Sequence, residues 1–264
     1  MAQKSNGAKA KKFTFTWINA LQILTVAALL ISMQVAVSSG AISKVFLATP
    51  TDIVKSGWGL ITDGTLFPHL LVTLKEVFTG YFLAAAVGII LGFLWVLFPK
   101  LEQYMSVFCS AIMAVPKTAI LPLLILWFGI GFQSKVVLIF LFGVFTILYN
   151  TVTGAKQCKV EYMKVASVFE ASRAQLVFKV MIPAALPSIF NGLRLSAATA
   201  LTGVVFAEMQ SAREGLGFLL SQAQNNLATA KVFFIIILVT LISVLFVRII
   251  AGVEYIFCHK WRKV

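Results

Sequence analysis

The sequence VEYMKVASVFEASRAQLVFKVMIPAALPSIFNGLR, residues Val160–Arg194, decides how this chain is organised. Long apolar runs lie on both sides of it, yet it carries charges of both signs. It closes with a Pro-x-x-x-Pro pattern at Pro183 and Pro187. A charged, amphipathic segment between apolar runs predicts a membrane protein whose helices a soluble partner can move.

Two charge pairs indicate how this segment folds. Glu161 and Lys164 are three residues apart, as are Glu170 and Arg173, so each pair can meet on a helix surface. The second pair follows the first by nine residues. At about 100° per residue, one continuous helix would place the pairs on opposite faces. We therefore expect two short helices joined by a turn.

The composition supports a membrane protein. Of 264 residues, 60% are hydrophobic and 12% are charged, and soluble domains carry about twice that charged fraction. The net charge of +13 fits basic loops that face a cytoplasm, and the apolar content argues against nucleic acid as a partner. Cys109, Cys158 and Cys258 form no regularly spaced set, and there are two histidines, so we expect no metal site and no cofactor.

Six stretches are apolar enough to cross a membrane, which needs about 20 residues in a helix. The predicted fold is an all-α, polytopic bundle. Pro116 and Pro122 each remove a backbone donor in the third span, so we expect a kink or break there. The predicted spans are about Ile18–Val37, Val77–Phe98, Met105–Trp127, Val136–Val152, Ile189–Phe206 and Val232–Ile256.

Lysines and arginines set the predicted orientation. Thirteen lie in the segments assigned to the inside and six in those assigned to the outside, so both termini are predicted in the cytosol. Ser38–Glu76 and Ala207–Lys231 become the larger outside loops. We expect a basic N-terminus (1–17), one transmembrane domain (18–257) with a cytosolic segment at about 156–183, and a basic tail (258–264).

Small residues recur at every fourth position of the second span, at Gly80, Ala84, Gly88 and Gly92. They share one helix face and let another backbone approach closely. Packing within the chain explains this pattern, and a face turned toward the pore or toward a second subunit is the alternative.

The apolar side chains of the polar segment need a place to be buried. Some can pack under the bundle and others can enter a groove on a partner. The alternative is an amphipathic loop that lies on lipid, although its mixed charge disfavours that arrangement. These residues are Val160, Met163, Val168, Phe169, Leu176 and Phe178.

Charged residues near membrane depth are candidates for function. Lys117, near the middle of the third span, is a candidate pore-lining charge that could meet an anion, and packing against a carbonyl freed by Pro116 is equally compatible with its position. Glu208 is a second candidate, at the outer mouth, or simply a charge at a helix end. Snorkelling is the simpler explanation for Arg194 and Arg248, which lie toward the cytosolic ends of their helices, and a functional charge is the alternative. No catalytic set can be assembled, so we expect no enzyme activity.

Over residues 164–183 the sequence resembles the permease subunits of bacterial ABC importers. Their cytoplasmic motif is Glu-Ala-Ala, three residues, Gly, nine residues, then Ile-x-Leu-Pro. Lys164, Val165 and Ala166 stand at the Glu-Ala-Ala places, Glu170 stands at the Gly place, and residues 180–183 form the tail that ends in Pro183. The spacing and the tail fit, while the Glu, the first Ala and the Gly are replaced.

Four further stretches resemble the nitrate, sulfonate and taurine branch of these permeases. The resemblance covers most of the chain from about Phe46 onward. The stretches are HLLVTLKEVFTGYFLAAAVGIILG (His69–Gly92), VPKTAILPLLILWFGIG (Val115–Gly131), ASRAQLVFKVMIPAALPSIFNGLRLS (Ala171–Ser196) and EMQSAREGLGFLLSQAQ (Glu208–Gln224).

The resemblance implies a type I importer permease in a bacterial inner membrane. Two copies, or two related permeases, would form the path for a small anionic solute such as a sulfonate, taurine or nitrate. An extracytoplasmic binding protein would deliver the solute, and a cytosolic ATPase dimer would supply energy through the coupling segment, Val160–Phe178. The residues implied in coupling are Val160, Met163, Lys164, Ala166, Phe169, Glu170, Arg173 and Pro183.

The sequence agrees with this division of labour, because it contains no Gly-x-x-x-x-Gly-Lys-Ser/Thr motif for ATP phosphates. A gradient-driven secondary transporter is the main alternative, but it would need ion-binding groups inside the bundle and internal repeats. A membrane anchor for a soluble complex would not explain six spans with proline breaks.

Overall fold

Every regular element in the described part of the chain is a helix. The computed structural model describes residues 17–158 and 160–261, except for the side chains of residues 160, 163, 167, 173, 174 and 259–261. A 3₁₀ turn (Lys117–Ile120) precedes α5, and a π-helical turn (Val177–Met181) precedes α9. The α-helices are α1 (Trp17–Ser38), α2 (Pro50–Thr62), α3 (Leu66–Leu97), α4 (Pro99–Ala114), α5 (Leu121–Phe128), α6 (Phe132–Lys156), α7 (Val160–Val168), α8 (Arg173–Leu176), α9 (Ile182–Ser211), α10 (Leu216–Asn225) and α11 (Thr229–Trp261).

Five of these helical segments are long and apolar enough to cross a membrane by themselves. A sixth span forms if α4 and the helical segment Lys117–Phe128 count together, and these two are bent by 83°. The break falls at Val115 and Pro116, where the sequence predicted it, because proline lacks the N–H that would continue the hydrogen-bond ladder.

Helix α6 lies at the centre of the bundle, between α3 and α9. Gly80 of α3 faces Ile139, and Gly92 faces Thr151, so α3 and α6 run in the same direction. Gly143 and Gly154 of α6 face Ser196 and Ser188 of α9, respectively, so these two helices are antiparallel. The tight α3–α6 and α6–α9 contacts depend on small residues, because a Cβ atom at Gly80 would come within 2.8 Å of the Val136 carbonyl oxygen.

Two predicted outside loops contain helices, which corrects the sequence-based boundaries. The span predicted to begin at Val77 begins at Leu66, and α2 lies within the predicted Ser38–Glu76 loop. Helix α10 lies within the predicted Ala207–Lys231 loop. We call the end that carries α2 and α10 the outer end, following the predicted orientation.

Helix α9 also begins earlier than the predicted Ile189. The chain is helical from Arg173 through the π turn to Ser211, with Pro183 in the first turn of α9 and Pro187 inside it. In the π turn the Ile182 N–H bonds to the Val177 carbonyl, five residues back. The wider turn lies where the ring of Pro183 would otherwise meet the carbonyl four residues before it.

Candidate functional site

The coupling segment contains the turn that the charge pairs predicted. Helix α7 ends at Val168, and the Ala171 N–H donates to the Ala166 carbonyl at 3.0 Å. Glu170 has a φ of +48°. This is the Schellman ending of a helix, in which the residue after the C-cap takes a left-handed conformation that favours glycine. Glu170 therefore occupies a strained position, the one where the permease motif has its Gly.

A second local signal starts the next helix. The Ser172 Oγ accepts the Gln175 N–H at 3.2 Å, and the Gln175 Oε1 accepts the Ser172 N–H at 3.0 Å. This reciprocal pair is a capping box, which fixes where a helix begins. The turn between α7 and α8 is thus specified from both sides by short-range hydrogen bonds.

The coupling segment exposes large apolar side chains. Val168 is 79% exposed, Phe169 80% and Phe178 70%. Ala166 is buried, and beside it a groove of about 580 Å³ is lined by Tyr162, Val165 and the first residues of α9. An apolar surface at a loop between membrane helices is the kind of surface that a partner covers.

At the outer end, Glu208 of α9 is almost fully buried, at 1% exposure. Its Oε1 accepts the Thr73 hydroxyl at 2.7 Å, and its Oε2 accepts the Gly217 N–H at 2.6 Å. Thr73 in turn accepts the Leu216 N–H at 2.8 Å. A carboxylate at the N-terminus of α10 satisfies N–H groups that the helix itself leaves unpaired, and the helix dipole stabilises its charge.

A buried ion pair lies next to this carboxylate. The Lys135 Nζ of α6 donates to the Glu76 Oε1 of α3 at 2.5 Å, and both side chains are buried. The Glu76 Oε2 has no hydrogen-bond donor. Burying such a pair is costly unless every polar atom is satisfied.

A cavity of about 490 Å³ opens beside the pair at the outer end. Its walls come from α3, from the α5–α6 connection and from the residues that follow α9. Its charged lining residues are Lys75, Glu76, Lys135, Arg213 and Glu214. Mixed charge with an excess of cations suits a small polar solute better than lipid.

Residues 84–254 match the family described as "Binding-protein-dependent transport system inner membrane component". The chain belongs to this family. The permease is 34% identical over 239 residues to the "Putative aliphatic sulfonates transport permease protein SsuC" of Bacillus subtilis, and the match covers 89% of this chain and 86% of that protein. It is 32% identical to the "Taurine transport system permease protein TauC" of Escherichia coli, over 85% and 84% of the two chains.

The fold of the permease is similar to solved importers. A subunit of the inward-facing "MetNI methionine ABC transporter" superposes with a TM-score of 0.59 at 20% identity, over 70% of this chain and 94% of that one. The type I importer fold predicted from the sequence is confirmed. This chain is a permease subunit of an ABC importer.

The predicted coupling residues lie together in the permease, from α7 to the start of α9. Ala166 is buried, Phe169 and Glu170 are exposed, and Pro183 lies in the first turn of α9. The side chains of Val160, Met163 and Arg173 lie outside the described residues, so the Glu170–Arg173 pair does too. The Lys164 side chain is exposed.

Three of the predicted charges, Lys117, Glu208 and Arg194, have defined neighbours in the structure. Lys117 sits in the 3₁₀ turn at the predicted break between α4 and α5, with its Nζ 5.5 Å from the centre of the Phe142 ring. Glu208 lies in the last turn of α9 at the outer end, where its buried carboxylate accepts hydrogen bonds from the Thr73 hydroxyl and the Gly217 N–H. Arg194 pairs with Glu254 at 3.0 Å.

The small residues of α3 face α6. Ala84 is fully buried, and a Cβ added at Gly143 of α6 would lie 3.1 Å from its Cβ. A Cβ at Gly88 would lie 2.8 Å from the Val144 carbonyl oxygen. Close packing within the chain therefore occupies the positions Gly80, Ala84, Gly88 and Gly92.

Sequence reasoning missed Glu76, Thr73 and Lys135, because it assigned Glu76 and Lys135 to outside segments. One signal was available. Thr73 and Glu76 are three residues apart on α3, so they share a helix face that turns toward Glu208.

Proposed function

We propose that the permease works as one of a pair, with a second copy or a related permease, in a bacterial inner membrane. An extracytoplasmic binding protein delivers the solute, and a cytosolic dimer of ABC ATPases hydrolyses the ATP. The permease itself forms the path. Closure of the ATPases moves the helices between inward-open and outward-open states, each of which the partners bind with different affinity.

We assign energy coupling to Val160–Phe178, and the exposure of Phe169 carries this assignment. An 80% exposed phenylalanine next to a hydrogen-bonded turn is unfavourable in water and well suited to a groove on a partner. The capping box at Ser172 and the left-handed Glu170 hold the side chain at a defined place. A displacement of this turn by the ATPase would move α9 directly, because the chain is helical without interruption from α8 through the π turn into α9.

We propose a small anionic solute, of the sulfonate, taurine or nitrate kind. Relatives that are named for aliphatic sulfonates and for taurine support this choice. Cations outnumber carboxylates around the outer cavity, where Lys75 and Arg213 are exposed. Lys117 remains our candidate for a charge along the path, since its ammonium group is half-buried beside Phe142.

Disulfide cross-linking tests the coupling assignment. In a background without Cys109, Cys158 and Cys258, we expect Phe169→Cys to cross-link to a cysteine in the groove of the co-expressed ATPase, with a yield that changes when ATP is added. Phe46→Cys is the control, because Phe46 is also 80% exposed but lies between α1 and α2 at the outer end.

Transport by reconstituted vesicles tests the same residue by function. Phe169→Asp should abolish ATP-dependent uptake while the permease remains in the membrane, because a carboxylate in an apolar groove is strongly disfavoured. The coupling assignment would be wrong if Phe169→Asp took up solute at the wild-type rate, or if Phe169→Cys and Phe46→Cys cross-linked to the ATPase equally. Competition by sulfonates, taurine and nitrate against neutral analogues tests the solute class.

A further inference from the structure

Three charged side chains are buried together at the outer ends of α3, α6 and α9. Glu76 and Glu208 are each 1% exposed and Lys135 is 5% exposed. With both carboxyl groups ionised, two negative charges would share one positive charge in a nearly dry site. One uncompensated buried charge would strongly destabilise the folded permease.

The hydrogen bonds indicate which of the two carboxyl groups is protonated. Both Glu208 oxygens already accept hydrogen bonds, from Thr73 and Gly217, which fits an ionised carboxylate. The Glu76 Oε1 accepts from Lys135, while its Oε2 accepts from no donor. Glu76 lies one turn after Thr73 on the same face of α3, and Thr73 donates to Glu208, so the carboxyl groups of Glu76 and Glu208 are neighbours. A protonated carboxyl group donates where an ionised one can only accept.

We propose that Glu76 and Glu208 form a proton-binding site, in which a proton on Glu76 is donated to the carboxylate of Glu208. This proton satisfies the remaining oxygen of Glu76 and makes the three-residue cluster neutral. The inference goes beyond the proposed function and does not depend on the ATPase, the coupling segment or the solute.

None of the surrounding described groups is placed to hold the proton in place of the two glutamates. From α3, the His69 Nδ1 accepts the Gly215 N–H at 3.0 Å, so that ring nitrogen carries no proton. Helix α10 contributes backbone N–H groups to Thr73 and Glu208. Lys75, Arg213 and Glu214 line the cavity but are exposed to solvent, which screens their charges.

Loss of the proton would act on the packing of α10. Two ionised carboxylates would then face each other, with Lys135 neutralising only one of them. Their repulsion would weaken the contacts that hold Gly217 and Thr73 to Glu208, and so loosen the outer ends of α3, α9 and α10. The site therefore links the proton concentration outside the membrane to the closed packing of the outer end.

Two glutamine variants distinguish the proposed proton donor from its acceptor. In Glu76→Gln the amide N–H₂ replaces the proposed O–H, and the cluster stays neutral. In Glu208→Gln an N–H₂ group faces the donors Thr73 and Gly217. We expect the purified complex with Glu76→Gln to melt close to the wild-type temperature at neutral pH, and the complex with Glu208→Gln to melt clearly lower.

The pH dependence provides the second measurement. As pH rises from neutral toward the range where lysine loses its charge, the wild-type melting temperature should fall. In Glu76→Gln this fall should be at most half as large. The control is Glu214→Gln, at an exposed position of the same end, and its melting temperature should fall with pH as much as that of the wild type. Infrared spectra of the wild type should show a protonated carboxyl band that is missing in Glu76→Gln.

Three results would each overturn the proposal. They are an unchanged alkaline fall in Glu76→Gln, equal destabilisation by the two glutamine variants at neutral pH, and a carboxyl band that persists in Glu76→Gln. Because melting and infrared spectra need no transport, a failure here leaves the coupling assignment standing, and the reverse also holds.

Discussion

The Glu208 carboxylate accepts the Gly217 N–H at 2.6 Å, so the end of α9 caps the start of α10. The chain turns between them at Gly215, whose φ of +113° is accessible mainly to glycine. A Cβ atom on Gly217 would lie 2.6 Å from the Cβ of Glu208. Glycine at these positions lets the carboxylate reach the helix end, which explains why a charged residue is stable at this depth.

The hydroxyl of Thr73 links α10 to Glu208, and its removal should loosen the outer end. Thr73→Val keeps the shape but leaves the Leu216 N–H and one Glu208 oxygen without a partner. We expect a loss of about 1–3 kcal/mol in the free energy of unfolding. Thr79→Val is the matched control, because that hydroxyl is exposed and bonds only within its own helix. Equal hydrogen exchange at residues 215–219 in the two variants would contradict this prediction.

Glycine at position 170 should stabilise the turn of the coupling segment. Left-handed backbone costs an L-residue about 1–2 kcal/mol, and Glu170 adopts it. Glu170→Gly should therefore slow hydrogen exchange of residues 166–176. Glu170→Ala removes the charge but keeps the Cβ, so it should show no such slowing. If both variants slow exchange alike, charge rather than backbone strain governs this turn.

The α3–α6 contact should not tolerate an added methyl group at Gly88. Its Cβ would lie 2.8 Å from the Val144 carbonyl oxygen, so a backbone must move, at a cost of roughly 1–3 kcal/mol. Gly252→Ala in α11 is the control, because nothing lies within 4 Å of its added Cβ. The check is thermal aggregation of the solubilised permease. A variant at Gly88 that is as stable as the one at Gly252 would show that the helices are less tightly packed.

The ion pair between Arg194 and Glu254 should couple α9 to α11. The N–O distance is 3.0 Å, and the side chains are 35% and 20% exposed. Because solvent screens the pair, a double-mutant cycle with Arg194→Met and Glu254→Gln should give an interaction energy of only about 0.5–1 kcal/mol. Strictly additive single mutants would show that snorkelling alone places Arg194.

Local signals in the sequence were enough for much of the fold. The apolar runs located the spans, and Pro116 located the break in the third. The phase of the charge pairs predicted the turn between α7 and α8, because helix periodicity depends only on neighbours along the chain. The assignment of the coupling residues came from the resemblance to the permease motif and stays a prediction.

The outer cluster could be decided only by the tertiary structure. Glu76 and Lys135 are separated by 59 residues, and Thr73 and Glu208 by 135. In the sequence each charge interrupts an apolar run and is typical of a loop, so α3 was predicted to start at Val77 instead of Leu66. A charge can be buried when an opposite charge or a hydrogen-bond donor meets it. Those partners come from other helices, and only the packing of α3, α6, α9 and α10 brings them together.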